Sequence, residues 1–157
     1  MTKIDIGIDE NARNSVAQAL NATLADTYSL YMKTHAYHWN VTGPQFQTLH
    51  LMFEGQYNEM WTALDEIAER VRALGVFAPT SGKQFAELSA IDNADTQPPK
   101  SDVMVSNLLA DHETLIKRAR NGLAIAEEAG DAASADLLTV RIQLHEKTAW
   151  MLRSLTQ

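Results

Sequence analysis

Five side chains able to hold a transition metal stand in one stretch of the chain. His38, His50, Glu54, Asp65 and Glu69 lie within HWNVTGPQFQTLHLMFEGQYNEMWTALDEIAE, residues 38–69, a segment otherwise rich in helix-core residues. Two imidazoles with three carboxylates suit Fe(II), Mn(II) or Zn(II), whereas calcium and magnesium prefer oxygen donors alone. Each residue taken singly has an ordinary explanation: a lone His on an apolar face is commonly a hydrogen-bonded core residue, and acids in the last turns of a helix commonly face water. It is the joint spacing that argues for chemistry. His35, three residues before His38, shares its helical face and is an extra or alternative ligand, or more simply a core or interface histidine. Trp39 reads as a core filler that, beside an oxidising metal pair, would also donate an electron and quench radicals.

The elements that must position these residues follow from local pattern. Thr42-Gly43-Pro44 is a turn signature between two helices, with Pro44 suited to the first turn of the second. Beyond it Phe46, Leu49, Phe53, Tyr57, Met60, Leu64, Ile67, Val71 and Leu74 recur at spacings of three and four, which predicts an amphipathic helix. His50, Glu54, Trp61, Asp65 and Glu69 gather on a second face, roughly a third of a turn away at about 100° per residue. A tryptophan at its centre implies that this face packs against something. His50 and Asp65 are fifteen positions apart, roughly 22 Å on a straight helix, so one copy of the chain cannot bring them to one ion. If two copies lie antiparallel about a two-fold axis near Glu59 and Met60, His50 and Glu54 of one face Asp65 and Glu69 of the other, and symmetry makes two such sites. In the preceding helix Val16, Leu20, Leu24, Tyr28, Tyr31, His35 and His38 form one stripe, so a hairpin sets His38 near His50.

The rest of the chain reads as scaffold. Asp9-Glu10-Asn11 favours the start of the first helix, Gly75 ends the second, and residues 81–88 form a short helix before a polar connector at 92–100. A third long helix begins near Ser101-Asp102, with Val105, Leu108, Leu109, His112, Leu115, Ile116, Ala119 and Leu123 on its buried side, and ends at Ala129-Gly130. A fourth runs from about Ala132 to Leu155, carrying Leu137, Val140, Leu144, Trp150, Met151 and Leu155. His112 and His145 lack an acid three positions before them, so the Glu-x-x-His pair of a di-iron site inside a bundle is missing and both read as structural.

Composition removes several classes of function. The 157 residues, 45% of them hydrophobic, predict one domain with a sizeable core. No apolar run approaches a membrane span, and MTKIDIGIDE lacks the marks of a secretory signal, so a cytoplasmic protein is expected. Without cysteine there are no disulfides, thiolate ligands or Cys nucleophiles. A formal net charge of −7 opposes non-specific binding to phosphates and suits the attraction of cations, and only Lys3 precedes Arg13, so a basic N-terminal tail for DNA is absent. Phosphate loops, serine-hydrolase patterns and interleaved basic and aromatic residues are absent too.

The sequence resembles the Dps family of mini-ferritins. The likeness rests on HWN, the second His twelve residues on, an acid four later and D-x-x-x-E, and extends to YxLYxKTxxYHWNVTGPxFxxLHxMFE and IAERVRALG and over most of residues 10–155. The resemblance implies an all-α, ferritin-like four-helix bundle with a short extra helix in the long connection between helices 2 and 3, a single domain over 1–157 with a short N-terminal segment 1–8, and a homo-oligomeric shell, a dodecamer. It implies a ferroxidase whose di-iron sites, catalytic and metal-binding at once, take His38, His50 and Glu54 from one chain and Asp65 and Glu69 from the other. Iron binds first at His38, His50, Asp65 and Glu69, with Glu54 completing the set or bridging to a weaker second iron. The family often has Asp at the position of Glu54. Hydrogen peroxide is the expected oxidant and dioxygen the slower one, Zn is a competing occupant, and Fe(III) mineral is stored inside the shell. Asp131 and Asp136, ordinary caps by position, fall where the family lines its three-fold pores. Two alternatives stand beside this reading: a nucleoid-associated, DNA-compacting stress protein with a secondary metal site, and a structural bundle using the His/acid face only for dimer contacts.

Overall fold

Local capping chemistry marks where the helices begin. The Asp9 carboxylate accepts from the Ala12 backbone N–H at 3.0 Å, Ser81 Oγ from that of Gln84 at 3.3 Å and Asp131 from that of Ser134 at 3.1 Å, each satisfying a donor that the first helical turn leaves free. This computed structural model describes residues 4–157, in the order α1 (Glu10–Asn40), α2 (Phe46–Ala73), α3 (Gly82–Leu88), α4 (Ser101–Glu128) and α5 (Ala132–Ser154). Lys3 lies outside the described residues. The four long helices form the bundle and α3 sits in the connection between α2 and α4, an all-α, ferritin-like arrangement as predicted. α1 packs chiefly on α2 and α4 on α5; α1 also runs along α4, whereas α2 and α5 meet only slightly.

The core is filled by Val16, Leu20, Leu24 and Leu30 of α1, Leu49, Phe53, Met60, Ile67 and Val71 of α2, Met104, Leu108 and Leu115 of α4, and Leu138 and Leu152 of α5. Each such side chain contributes about 1.5–3 kcal/mol by leaving water. Buried polar ties hold the connection and α4 to α1. Asp26 accepts from the Ala90 N–H at 2.7 Å, Ser89 Oγ at 3.1 Å and Arg118 Nη1 at 3.1 Å, and Lys33 pairs with Asp111 at 2.6 Å.

The structure corrects several sequence expectations. Pro44 lies in the turn before α2 and not in its first turn: the Phe46 N–H closes that turn on the Gly43 carbonyl at 3.0 Å. Gly43 has φ +108°, a conformation that side chains with a Cβ rarely adopt. Phe46, Trp39, Val140, Trp150, Met151 and Leu155 are exposed, not core. The buried stripe of α5 is instead Ser134, Leu138, Arg141, Ile142, His145, Ala149 and Leu152. Its helical period is regular, but Ser, Arg and His occupy three of its positions, so a search by large apolar residues slips off the true face. Arg141 can be buried because Glu59 takes two of its nitrogens and His145 accepts from one of them.

Candidate metal centre

The α1–α2 hairpin is pinned at its turn end by the histidines themselves. His38 Nδ1 lies 2.8 Å from the His50 carbonyl, and His50 Nδ1 lies 2.8 Å from the His38 carbonyl. A carbonyl only accepts, so each Nδ1 carries a proton, which in the neutral ring leaves the lone pair on Nε2. The rings stack with centroids 3.8 Å apart and planes at 17°. Among the described residues neither Nε2 receives a hydrogen bond. Two crossed bonds to backbone therefore fix the tautomer and orientation that a metal ligand needs, without any carboxylate being used for the purpose.

Aromatic rings surround the pair. His35 stacks on Tyr57 at 3.8 Å and 12°, lies 4.2 Å from the Trp39 ring, and has its Nδ1 3.2 Å from the Tyr31 hydroxyl. Burial, and then the neighbouring His38, lower the pKa of His35, favouring the neutral imidazole. Tyr57 also meets His38 edge-on at 5.2 Å. By its spacing Tyr57 belongs to the core stripe of α2. Its position seven after His50 and three after Glu54 was the available signal that it borders the site.

The carboxylates stand apart from the imidazoles. Glu54 is half-buried one turn after His50, while Asp65 and Glu69 are exposed at the far end of α2. Asp65 borders a groove of about 620 Å³ walled by Tyr28, Trp61 and Phe85 from α1, α2 and α3. Among the described residues of one chain, no three His, Cys, Asp or Glu side chains converge as a metal site. One chain thus offers two separated part-sets of ligands on α2, with the exposed Trp61 ring between them, 62% accessible and 5.5 Å from Tyr31. As a donor set, imidazole nitrogen with carboxylate oxygen fits iron or zinc.

The remaining candidates part company. Asp131 is buried and engaged by Arg70 Nη2 at 2.7 Å, Ser134 Oγ at 2.5 Å and the Ser134 N–H at 3.1 Å. Burial alone would raise its pKa, but the hydrogen bonds from Ser134 and Arg70 outweigh it and hold the carboxyl below its ordinary range. Within one chain Asp131 therefore caps α5, and Asp136 is the member of that pair facing solvent. His112 and His145 are buried in the bundle core and hydrogen-bonded to each other, Nδ1 to Nδ1, at 2.9 Å.

Residues 17–157 match the family model Ferritin, described as a ferritin-like domain. The chain is 41% identical over 155 residues to an uncharacterized low temperature-induced protein of Nostoc sp., covering 98% of this chain and 87% of the relative. It is 39% identical over 139 residues to DNA protection during starvation protein 2 of Bacillus anthracis, covering 88% and 94%. The crystal structure of the Vibrio cholerae O1 DPS protein, described as a member of a broad superfamily of ferritin-like diiron-carboxylate proteins, matches with a TM-score of 0.93 and 30% identity over 100% of this chain and 98% of that one.

Proposed function

The chain belongs to the Dps family of ferritin-like proteins, and on that premise we propose that it oxidises Fe(II) at sites shared between two copies and stores the ferric product. Membership supports iron storage and stress protection as the class of function. The observation that carries the finer reading is the reciprocal bonding of His38 and His50, which turns both Nδ1 atoms to backbone and leaves Nε2 for a metal, on a chain whose Asp65 and Glu69 stand too far along α2 to join them. An antiparallel partner supplies Asp65 and Glu69 to His38, His50 and Glu54, and the two-fold axis makes the arrangement twice.

Fe(II) is the substrate of this site. Each of a pair of Fe(II) ions gives one electron to hydrogen peroxide, whose O–O bond breaks, and both oxygens leave as water after taking up a pair of protons. Carboxylates lower the cost of the higher charge on Fe(III), and the imidazoles, held by their Nδ1 bonds, give the iron nitrogen donors of fixed orientation. Coupling both electrons to one peroxide avoids release of hydroxyl radical. Dioxygen is the slower oxidant, Zn(II) competes for the same donors, Asp136 lines the entry route for cations, and a dodecameric shell retains the mineral.

Mixing variants tests the shared site directly. His50→Ala and Asp65→Ala are each expected to abolish protein-dependent oxidation, measured by ferric absorbance after anaerobic Fe(II) loading and peroxide addition. Unfolded together and reassembled, they are expected to recover about a quarter of wild-type activity, because half of random pairs are mixed and each mixed pair rebuilds one intact site of two. No recovery from reassembled, folded mixtures would overturn a site divided between copies. Consumption of about two Fe(II) per peroxide supports the coupled reaction.

A further inference from the structure

A row of aromatic rings leads away from the paired histidines along the outer face of α1 and α2. Tyr57 meets His38 edge-on at 5.2 Å, Tyr31 lies 6.4 Å from Tyr57 at 72°, and Trp61 lies 5.5 Å from Tyr31 at 43°. These are the centroid separations of touching aromatic pairs. His35 joins the row from the side, stacked on Tyr57 at 3.8 Å with its Nδ1 3.2 Å from the Tyr31 hydroxyl. Packing calls for apolar volume, not for readily oxidised side chains in an unbroken row, and Trp61 at the end of the row is exposed and fills no core.

On the shared site proposed above, the register decides where that row leads. Pairing His50 with Glu69 and Glu54 with Asp65 of an antiparallel copy centres both pairs between Glu59 and Met60. Trp61 stands on the same face, fewer than two residues from that point, so it and its symmetry mate fall about 4–5 Å apart along the helix direction. The rows of two copies then join at the two indoles. One continuous series of rings runs from the histidine pair of one site to that of the other.

We propose that Tyr31 and Trp61 are the stops of an electron relay between the two iron sites of a dimer, with Tyr57 as the bridge to His38, so that one Fe(II) at each site reduces one hydrogen peroxide. Electron tunnelling falls steeply with distance, and touching rings divide a long path into short ones. When Tyr31 gives up an electron, its phenolic proton passes to His35 Nδ1, which accepts with that ring's own proton on Nε2, and returns when the electron is replaced. Trp61 passes through its radical cation and keeps its N–H. The row is unchanged at the end: two Fe(II), one peroxide and a pair of protons give two Fe(III) and two waters, with the O–O bond broken at one site. Without the relay, a lone Fe(II) would split peroxide into hydroxide and hydroxyl radical.

Assembled protein loaded anaerobically with one Fe(II) per site and then mixed with peroxide tests the relay. Wild type is expected to consume about two Fe(II) per peroxide and, when freeze-quenched, to show a tyrosyl radical by electron paramagnetic resonance. Tyr31→Phe keeps the ring and removes one hydroxyl; it is expected to lose that radical and to release several-fold more hydroxyl radical to a spin trap, with Fe(II) affinity unchanged. Trp61→Phe is expected to release hydroxyl radical likewise while keeping the tyrosyl signal, and Trp150→Phe, on α5 and off the row, to behave as wild type. Full coupling in Tyr31→Phe, or a tyrosyl radical that persists in it, would overturn the relay and leave the shared site standing. Absence of protein-dependent oxidation in wild type would overturn both.

Discussion

His38 and His50 each direct Nδ1 to the other's backbone carbonyl at 2.8 Å, so substituting either one removes a candidate ligand and also loosens the orientation of the other. Around them, Trp39 is accessible over 60% of its surface and lies 4.2 Å from His35, itself stacked on Tyr57. A ring so exposed contributes little to the core, so Trp39→Phe is expected to change the unfolding free energy by less than about 0.5 kcal/mol. Its expected effect is chemical: Fe(II) binding stays intact, while carbonyl and hydroxylation products in the protein increase after peroxide turnover, read by mass spectrometry. Unchanged protein oxidation would remove electron donation by Trp39.

Between elements, the turn from α1 to α2 sets the register of the two histidines. Gly43 holds φ +108° there, and Gly43→Ala is expected to cost about 1–3 kcal/mol of stability and to weaken Fe(II) binding by displacing His38 from His50; denaturant unfolding and an anaerobic titration measure the two effects. The hydrogen-bonded series Glu59, Arg141, His145 and His112, linking α2, α4 and α5, has its own signature in pH. Burial, with a smaller contribution from Arg141, pushes His112 down to about 3, and burial, then His112 and Arg141, lowers His145 well below its usual value. Any added proton would set two donors face to face. Since the folded pKa lies below the unfolded one, the unfolded chain binds more protons between about pH 6.5 and about pH 3. Stability from this pair is therefore full above pH 6.5 and is lost as pH falls, by up to about 1.4 kcal/mol per pH unit for each histidine. Asp26 and Asp111, whose pKa values burial raises, change stability in the opposite sense. A His112→Phe/His145→Leu double variant is expected to flatten the fall in unfolding midpoint between pH 7 and pH 4. An unaltered slope would contradict a neutral buried pair.

At the scale of the whole molecule, the exposed apolar side chains call for partners. Trp61, Trp150, Phe77 and Leu51 are each more than half exposed in one chain. Trp61 separates the histidine end of α2 from its acid end. Trp61→Glu is expected to shift the protein toward smaller species in sedimentation and to lower Fe(II) oxidation with it, leaving helix content unchanged by circular dichroism. No helix among the described residues is long and apolar enough to cross a membrane. With a formal net charge of −7, duplex DNA is expected to show no shift in gel mobility at neutral pH and about 0.15 M salt, where phosphate binding requires released counterions.

Helix identity and boundaries were legible in the sequence because their causes are local: Asp9, Ser81 and Asp131 cap backbone groups three residues away, and the core stripe of α2 repeats at the helical period. The candidate ligands were legible for the same reason, since four of the five share one helix and the fifth precedes its turn. Tertiary structure alone decided which nitrogen each histidine protonates, because the acceptors lie twelve residues off for His38 and His50, and thirty-three off for His112 and His145. It also decided that Asp131 is held by Arg70, sixty-one positions earlier, and that α5 buries Arg141 and His145 while exposing Trp150. A polar side chain is buried only where distant partners meet its hydrogen bonds, and no spacing within a single helix records those partners.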